Sequence, residues 1–207
     1  MKLQLPHLQA IILTLVAGIA DAVGYITMGG VFAANMTGNT VLAGIALAQA
    51  HWPDAGRHLA PLIAFFIGAM LSRLLLRLSH TPTAGLLVEA ALLAGVGFVP
   101  VGPEATVMIV AAAMGVQASA ITHFAGSAVS TVVVTSTLAR AADAVLDWLW
   151  PSRDRAPLGA TNRRLLAFTW IGYLVGAVIG ALLVPVLPYP LLVPAALLLL
   201  MVLFIRA

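Results

Sequence analysis

Asp21 is the residue whose surroundings suit it least. It lies about 13 residues into an apolar run that begins at Leu8, and a carboxyl at that depth is costly unless it is paired, hydrated or protonated. Two chemistries follow: exchange of a proton or cation, or contact with a polar solute. Tyr25 at i+4 and Gly18 at i−3 share its helical face. A phenol is therefore at hand, and the glycine admits a close neighbour.

Downstream, Asn35, Thr37 and Asn39 alternate with the period of a strand, while Gly29, Gly30 and Gly38 interrupt helix. A short extended piece leading into a helix fits this pattern. Its backbone amides and carbonyls must be satisfied by protein, solute or ion, because lipid offers nothing. A helix starting near Gly38 would aim its N-terminal amides at that point, which suits an anion or a carbonyl. Gln117 is the matching outlier in the second half, since an amide inside a span needs several partners. Ser119, Thr122, His123, Ser130, Thr131, Thr135, Ser136 and Thr137 surround it in sequence. Asp21, Tyr25, Asn35, Thr37, Asn39 and Gln117 form the candidate solute- or ion-binding set.

Each candidate also has a structural reading. Asp21 can be hydrogen-bonded within a bundle, and the Asn and Thr residues can clamp helices together. For any single Ser or Thr, backbone bonding is the expected role, and His123 fits the end of a span. Arg140 and Asp143, three apart, are expected to pair. Arg73 and Arg77 should reach for head groups. Glu89 stands a turn and a half into its run and is expected near the interface.

Several chemistries find no support. The chain has no Cys, which excludes disulfides, thiolate metal sites and Cys nucleophiles. It has no G-x-S-x-G, no phosphate-cradling loop with Lys-Ser/Thr and no H-E-x-x-H. No enzyme activity, cofactor or metal is expected.

The elements that must position these residues are membrane helices. The 207-residue chain is 62% hydrophobic and only 8% charged, with a mean hydropathy of +1.08. Soluble domains are about 45–50% apolar and about 25% charged. Long Leu-, Ala- and Val-rich runs favour helices over a barrel. The net charge of +3 comes from basic residues between the runs, where topology rather than nucleic acid accounts for them.

Eight apolar segments are expected: Leu8–Met28, Val31–Ala50, Leu59–Leu78, Ala84–Val101, Ala105–Thr122, Ser127–Leu146, Leu165–Leu187 and Leu191–Ile205. The second and sixth are the most polar and are expected to be broken, partly extended or re-entrant. Trp52, Trp148, Trp150 and Tyr189 stand at segment ends, as interfacial aromatics do. Lys2, the first run and Ala20-Asp21-Ala22 loosely resemble a cleaved signal peptide. Apolar sequence continues past that point, so the segment is read as a retained span.

The halves resemble each other. Leu86–Leu93 and Leu191–Leu198 differ only at Glu89 against Pro194, and the stretch ending Gly68-Ala69 matches the one ending Gly176-Ala177. Gly18 and Gly29 align with Gly115 and Gly126 in one frame, and Thr37-Gly38-Asn39 with Thr135-Ser136-Thr137 one residue later. Two repeats of approximately 8–101 and 105–206 follow, within a single transmembrane domain. Four crossings per repeat would make them parallel, and one re-entrant element per repeat would make them inverted. The Arg153–Arg164 loop is expected in the cytoplasm. With eight crossings, Arg73 and Arg77 fall on the opposite side.

Gly18-Ile19-Ala20-Asp21-Ala22 and Val31–Thr40, with Asn35-Met36-Thr37-Gly38-Asn39 at its centre, resemble the signature of the YoaK family of bacterial integral membrane proteins. Met114-Gly115-Val116-Gln117 and Val133–Thr137 resemble its second-half motifs. The resemblance covers nearly the whole chain. It departs at Ala118, where a polar residue is expected, and at Ser136, where a glycine is expected. It implies a bacterial inner (plasma) membrane location and supplies no established substrate.

The combined expectation is an all-α polytopic membrane protein with six to eight crossings and two internal repeats. Its expected role is a small-solute transporter, proton- or cation-coupled through Asp21. The alternatives are a passive channel and an accessory or structural membrane subunit. Membrane lipid, a small solute and a second copy in a homodimer are the expected partners, with no nucleic acid.

Overall fold

A computed structural model of the chain describes residues 5–99, 101–120, 123–124, 127–128, 134–150 and 160–206. Nearly all of them are helical. In order, α1 is Leu5–Thr27, α2 Met36–Ala48, α3 Trp52–Ser79, α4 Thr83–Phe98 and α5 Pro103–Ala120. After a two-residue antiparallel ladder, β1 (His123–Phe124) with β2 (Ser127–Ala128), come α6 Val134–Leu149, α7 Ala160–Leu183 and α8 Leu192–Arg206. Thr122, Gly126, Ser130 and Thr131 lie outside the described residues, as does most of the Arg153–Arg164 loop.

Among the described residues, three helices are long and apolar enough to cross a membrane: His7–Thr27, Trp52–Ser79 and Leu165–Leu183. Helix α1 is the innermost of these. Its most apolar stretch is 61% buried, against 22% for α3 and 33% for α7, and Leu13, Val16, Ala17, Ala20 and Val23 form the centre of the core. Trp52, Trp150 and Tyr189 are exposed at helix ends, as aromatics at a lipid–water boundary are.

Segment Val31–Ala50 is not one continuous helix. Helix α1 ends at Gly29 and Gly30, both with positive φ (+75° and +77°), a conformation that glycine adopts without steric cost. An irregular stretch then runs to Asn35, and α2 has only 13 residues, about 20 Å at 1.5 Å per residue. Helix α2 packs on α3. The first turns of α3 (Pro53, Gly56, Arg57) border the same cavity as Thr27–Gly29. The chain therefore leaves α1, turns back along it, and returns through α2 to the end where α1 stopped.

Glycines set the helix pairing. A Cβ on Gly18 would overlap the Tyr173 carbonyl oxygen and touch the Ala177 nitrogen, and one on Gly176 would overlap the Leu15 carbonyl. Along this seam Gly172, Gly176 and Gly180 meet residues 11–14, 15 and 19–22 in rising order, so α1 and α7 run in the same direction. Helices α3 and α5 meet in the same way. A Cβ on Gly115 would overlap the Phe65 carbonyl and touch the Ala69 nitrogen, and one on Gly68 would overlap the Ala112 carbonyl. The frame that carries Gly18 to Gly115 carries Leu15 to Ala112. The frame that carries Gly68 to Gly176 carries Phe65 to Tyr173 and Ala69 to Ala177. These two seams are the largest helix contacts among the described residues.

Helix α4 starts where α3 and α5 end: Gly85 packs on Ser72, Val116 and Ala120. At its other end Gly97 packs on Leu192 at the start of α8. Helix α4 is therefore antiparallel to both α5 and α8.

Candidate functional site

The irregular stretch between α1 and α2 is held by side chains instead of a backbone ladder. Asp21 Oδ1 accepts hydrogen bonds from the backbone N–H groups of Ala34 (2.6 Å) and Asn35 (3.1 Å). Asp21 Oδ2 accepts one from the Tyr173 hydroxyl of α7. Asp21 is six residues from the end of α1, so these bonds lie about 9 Å below that end. One carboxyl thus fastens the returning strand, α1 and α7 to one another.

Asn39 holds the opposite edge. Its Oδ1 accepts from the Phe32 N–H (3.0 Å), and its Nδ2 donates to the Phe32 carbonyl (2.7 Å). The amide copies the pairing that a neighbouring strand would provide, and the side chain is fully buried. Asn35 caps α2: its Oδ1 accepts from the Gly38 N–H at 3.1 Å, which satisfies one of the donors that a helix start leaves free. Backbone groups that lipid could not satisfy are in this way closed inside the protein.

The six candidate residues separate into three groups. Asp21, Asn35 and Asn39 come together around residues 32–38. Tyr25 and Thr37 point outward: Tyr25 is 49% exposed and stacks on the Phe32 ring, with centroids 4.9 Å apart, and Thr37 is exposed. Gln117 is buried on α5 and donates through Nε2 to the Leu13 carbonyl of α1 at 3.0 Å. The side chains of His123, Thr135, Ser136 and Thr137 lie outside the described residues.

Two cavities flank the end of α1. The larger, about 890 Å³, lies between Thr27–Gly29, the start of α3 and the start of α5, with Arg57 and Glu104 in its wall. The smaller, about 390 Å³, is bordered by Val23, Thr27, Met28, the end of α4 and the Pro188–Leu191 turn. None of the six candidates lines either cavity. Thr27 and Met28 border both, and the Asp21 bracket lies directly beneath them. Among the described residues no three His, Asp or Glu side chains gather as a metal-binding group.

Sequence reasoning missed two features. Tyr173 was not singled out, because a tyrosine inside a long apolar run resembles any aromatic in a core. Its frame partner Phe65 was the available signal, a hydroxyl gained in one half only. Glu89 was expected near the interface. It is instead fully buried within the protein, on the face of α4 that carries Gly85.

A family model described as "Protein of unknown function (DUF1275)" matches residues 9–205. The chain is similar to the UPF0700 transmembrane protein YoaK of Bacillus subtilis (strain 168), at 32% identity over 84% of this chain and 82% of that protein. It is also similar to the UPF0700 transmembrane protein RA0705 of Rhizobium meliloti (strain 1021), at 29% identity over 83% of this chain and 73% of the other. No solved structure matches.

Proposed function

Because this chain belongs to the DUF1275 family of proteins of unknown function, whose relatives named above are transmembrane proteins, we propose that it is a small-solute transporter of the bacterial inner (plasma) membrane, built as an inverted repeat. The observation that carries this reading is the doubled helix seam: Gly18 against Tyr173 and Ala177, and Gly115 against Phe65 and Ala69. On this reading the three long apolar helices α1, α3 and α7 cross together with α4, α5 and the shorter α8, while α2, and by the repeat α6, enter and leave at one end. Three crossings per repeat put the second repeat into the membrane upside down. Two inverted, interlocked repeats around a mid-membrane polar site are a transporter architecture, in which the halves rock about that site.

Charge supports the same topology. With six crossings, Lys2, Arg73, Arg77, the Arg153–Arg164 loop and Arg206 all fall at the end where α1 begins, and Arg57 falls at the other. The eight-crossing alternative strands Arg73 and Arg77. By the bias of basic residues toward the cytoplasm, α1 begins inside, and the 890 Å³ cavity lies on the outer face. A solute arriving there meets Arg57, Glu104 and Thr27. Asp21 stands about two turns along α1 from Thr27 and Met28 in the cavity wall. On this reading Asp21 acts as the latch: an inward path past these residues requires the Asp21–Tyr173 contact to part.

The test is a thermal-shift screen of the purified chain against neutral, anionic and cationic small solutes, followed by counterflow of each hit in proteoliposomes. Saturable counterflow is expected. Linear, non-saturable flux would assign a channel, and no flux with a co-purifying subunit would assign an accessory role.

A further inference from the structure

Glu89 and Asp21 are the two buried acids among the described residues, and their situations are the reverse of each other. Asp21 accepts from two amides and a hydroxyl. Glu89 is 0% exposed, and neither carboxyl oxygen has a hydrogen-bond partner among the described residues. It lies one turn beyond Gly85 on the same face of α4. Gly85 packs on Val116, Ala120 and Ser72, so the antiparallel α5 brings the turn Ala113–Gln117 opposite Glu89. Ser72 Oγ, which borders Gly85, is also buried without a partner.

The elements packed on α4 offer no compensating charge. On α3, Arg73 and Arg77 are exposed, and Asp54, Arg57 and His58 lie at the far end. On α5 the charged residue is Glu104, exposed at the start of the helix. The described side chains of α8 are all apolar. Asp21 is engaged elsewhere. An ionised carboxylate so placed would bear its full desolvation cost, whereas a neutral acid does not.

We propose that Glu89 is a proton-binding site of the membrane interior. It carries its proton while the α3–α4–α5 seam is closed and gives it to water when the seam opens. The Ser72 hydroxyl, on the seam between Glu89 and the end of α3, passes it along. In that step the Glu89 O–H bond breaks as Ser72 Oγ takes up its proton, the original Ser72 O–H bond breaks as that proton passes to water, and a carboxylate remains on Glu89 until a proton returns. This deepens the transport reading, on which its place in a cycle rests, by moving the coupling proton from Asp21 to Glu89. The second half has no counterpart, because Pro194 stands where the repeat would place an acid.

Infrared spectroscopy of the full chain in lipid nanodiscs reads the proton directly. A protonated-carboxyl band is expected at neutral pH. Glu89→Gln should lose it, while Asp21→Asn and Glu89→Asp should keep it. Glu89→Gln is neutral and isosteric, and an unchanged melting curve would establish its fold. No such band in the parent chain, or a band that survives Glu89→Gln, would overturn the proposal. Because the measurement needs no solute, a band that behaves as expected without counterflow would leave the proton site standing and remove the transport reading. Counterflow without the band would do the opposite.

Discussion

The Tyr173 hydroxyl donates to Asp21 Oδ2 across the α1–α7 seam, and the other seam has lost both partners together. The frames that superpose the two seams place Ala118 where Asp21 would be and Phe65 where Tyr173 would be. A lone acid or a lone buried hydroxyl in that position would be costly. Their joint absence is what a pair that functions as one unit predicts. Of the two helix seams, α1–α7 carries the acid–hydroxyl pair and α3–α5 has Ala118 and Phe65 at the matching positions.

Removing the Asp21 carboxyl should cost more than any one of its three hydrogen bonds is worth. Asp21→Ala leaves two buried amides and one hydroxyl without an acceptor, at about 1–3 kcal/mol each before water or repacking compensates. Tyr173→Phe removes a single donor and should cost about 1 kcal/mol. Combined, the two should fall short of additivity by roughly 0.6–1.7 kcal/mol, the coupling range of hydrogen bonds between membrane helices. Thermal unfolding of the two single variants and the double variant in detergent measures this.

Asn39→Leu keeps the bulk but removes both bonds to Phe32. The expected result is a loss of about 2 kcal/mol or more, from two orphaned backbone groups. It should come with faster amide exchange confined to residues 29–38. Hydrogen–deuterium exchange reads both the location and the size of the effect.

Glycine substitutions should separate by seam. Gly18→Ala and Gly115→Ala drive a Cβ into the backbone of the partner helix, and each should destabilise by about 1–3 kcal/mol through overpacking. Gly44 of α2 has nothing within 4 Å of such a Cβ. Gly44→Ala should be neutral or stabilising by up to about 1 kcal/mol from helix propensity. Melting temperatures of the three variants decide the matter.

Native cysteines are absent, so single introduced thiols report topology without background. Gln49→Cys and Gly102→Cys should react with a membrane-impermeant maleimide from one side of intact cells or oriented vesicles, and His80→Cys from the other. Lys2→Cys, ahead of α1, should react from the same side as His80→Cys; labelling of Lys2→Cys and Gln49→Cys from one side would require α2 to cross, and would end the inverted arrangement.

How much of this was legible in sequence depended on whether a residue's type conflicted with its surroundings. Asp21 was visible because an acid in an apolar run is rare. The break between α1 and α2 is visible because Gly29, Gly30, Asn35 and Asn39 suit neither helix nor lipid. Gly18, Gly68, Gly115 and Gly176 were visible as repeats, but their pairing was not: nothing local says that α1 of one half lies against α7 of the other. Tyr173 and the Phe32 backbone were hidden because their roles exist only across that pairing. The burial of Glu89 is not legible because position along a helix does not say whether water reaches a side chain; that is set by which helices cover its face.

The pairing of α1 with α7 also bears on how the protein is made. Asp21 and Tyr173 are separated by 152 positions. At synthesis rates of about 5–20 residues per second, Asp21 waits on the order of ten seconds for its hydroxyl partner. During that interval its carboxyl must be met by the returning strand alone, or by the insertion machinery that receives the nascent chain. Interlocked halves cannot each finish folding before the other exists, so a ribosome that stalls after α5 would leave a partner-seeking helix pair in the membrane, with the groove meant for α7 facing lipid.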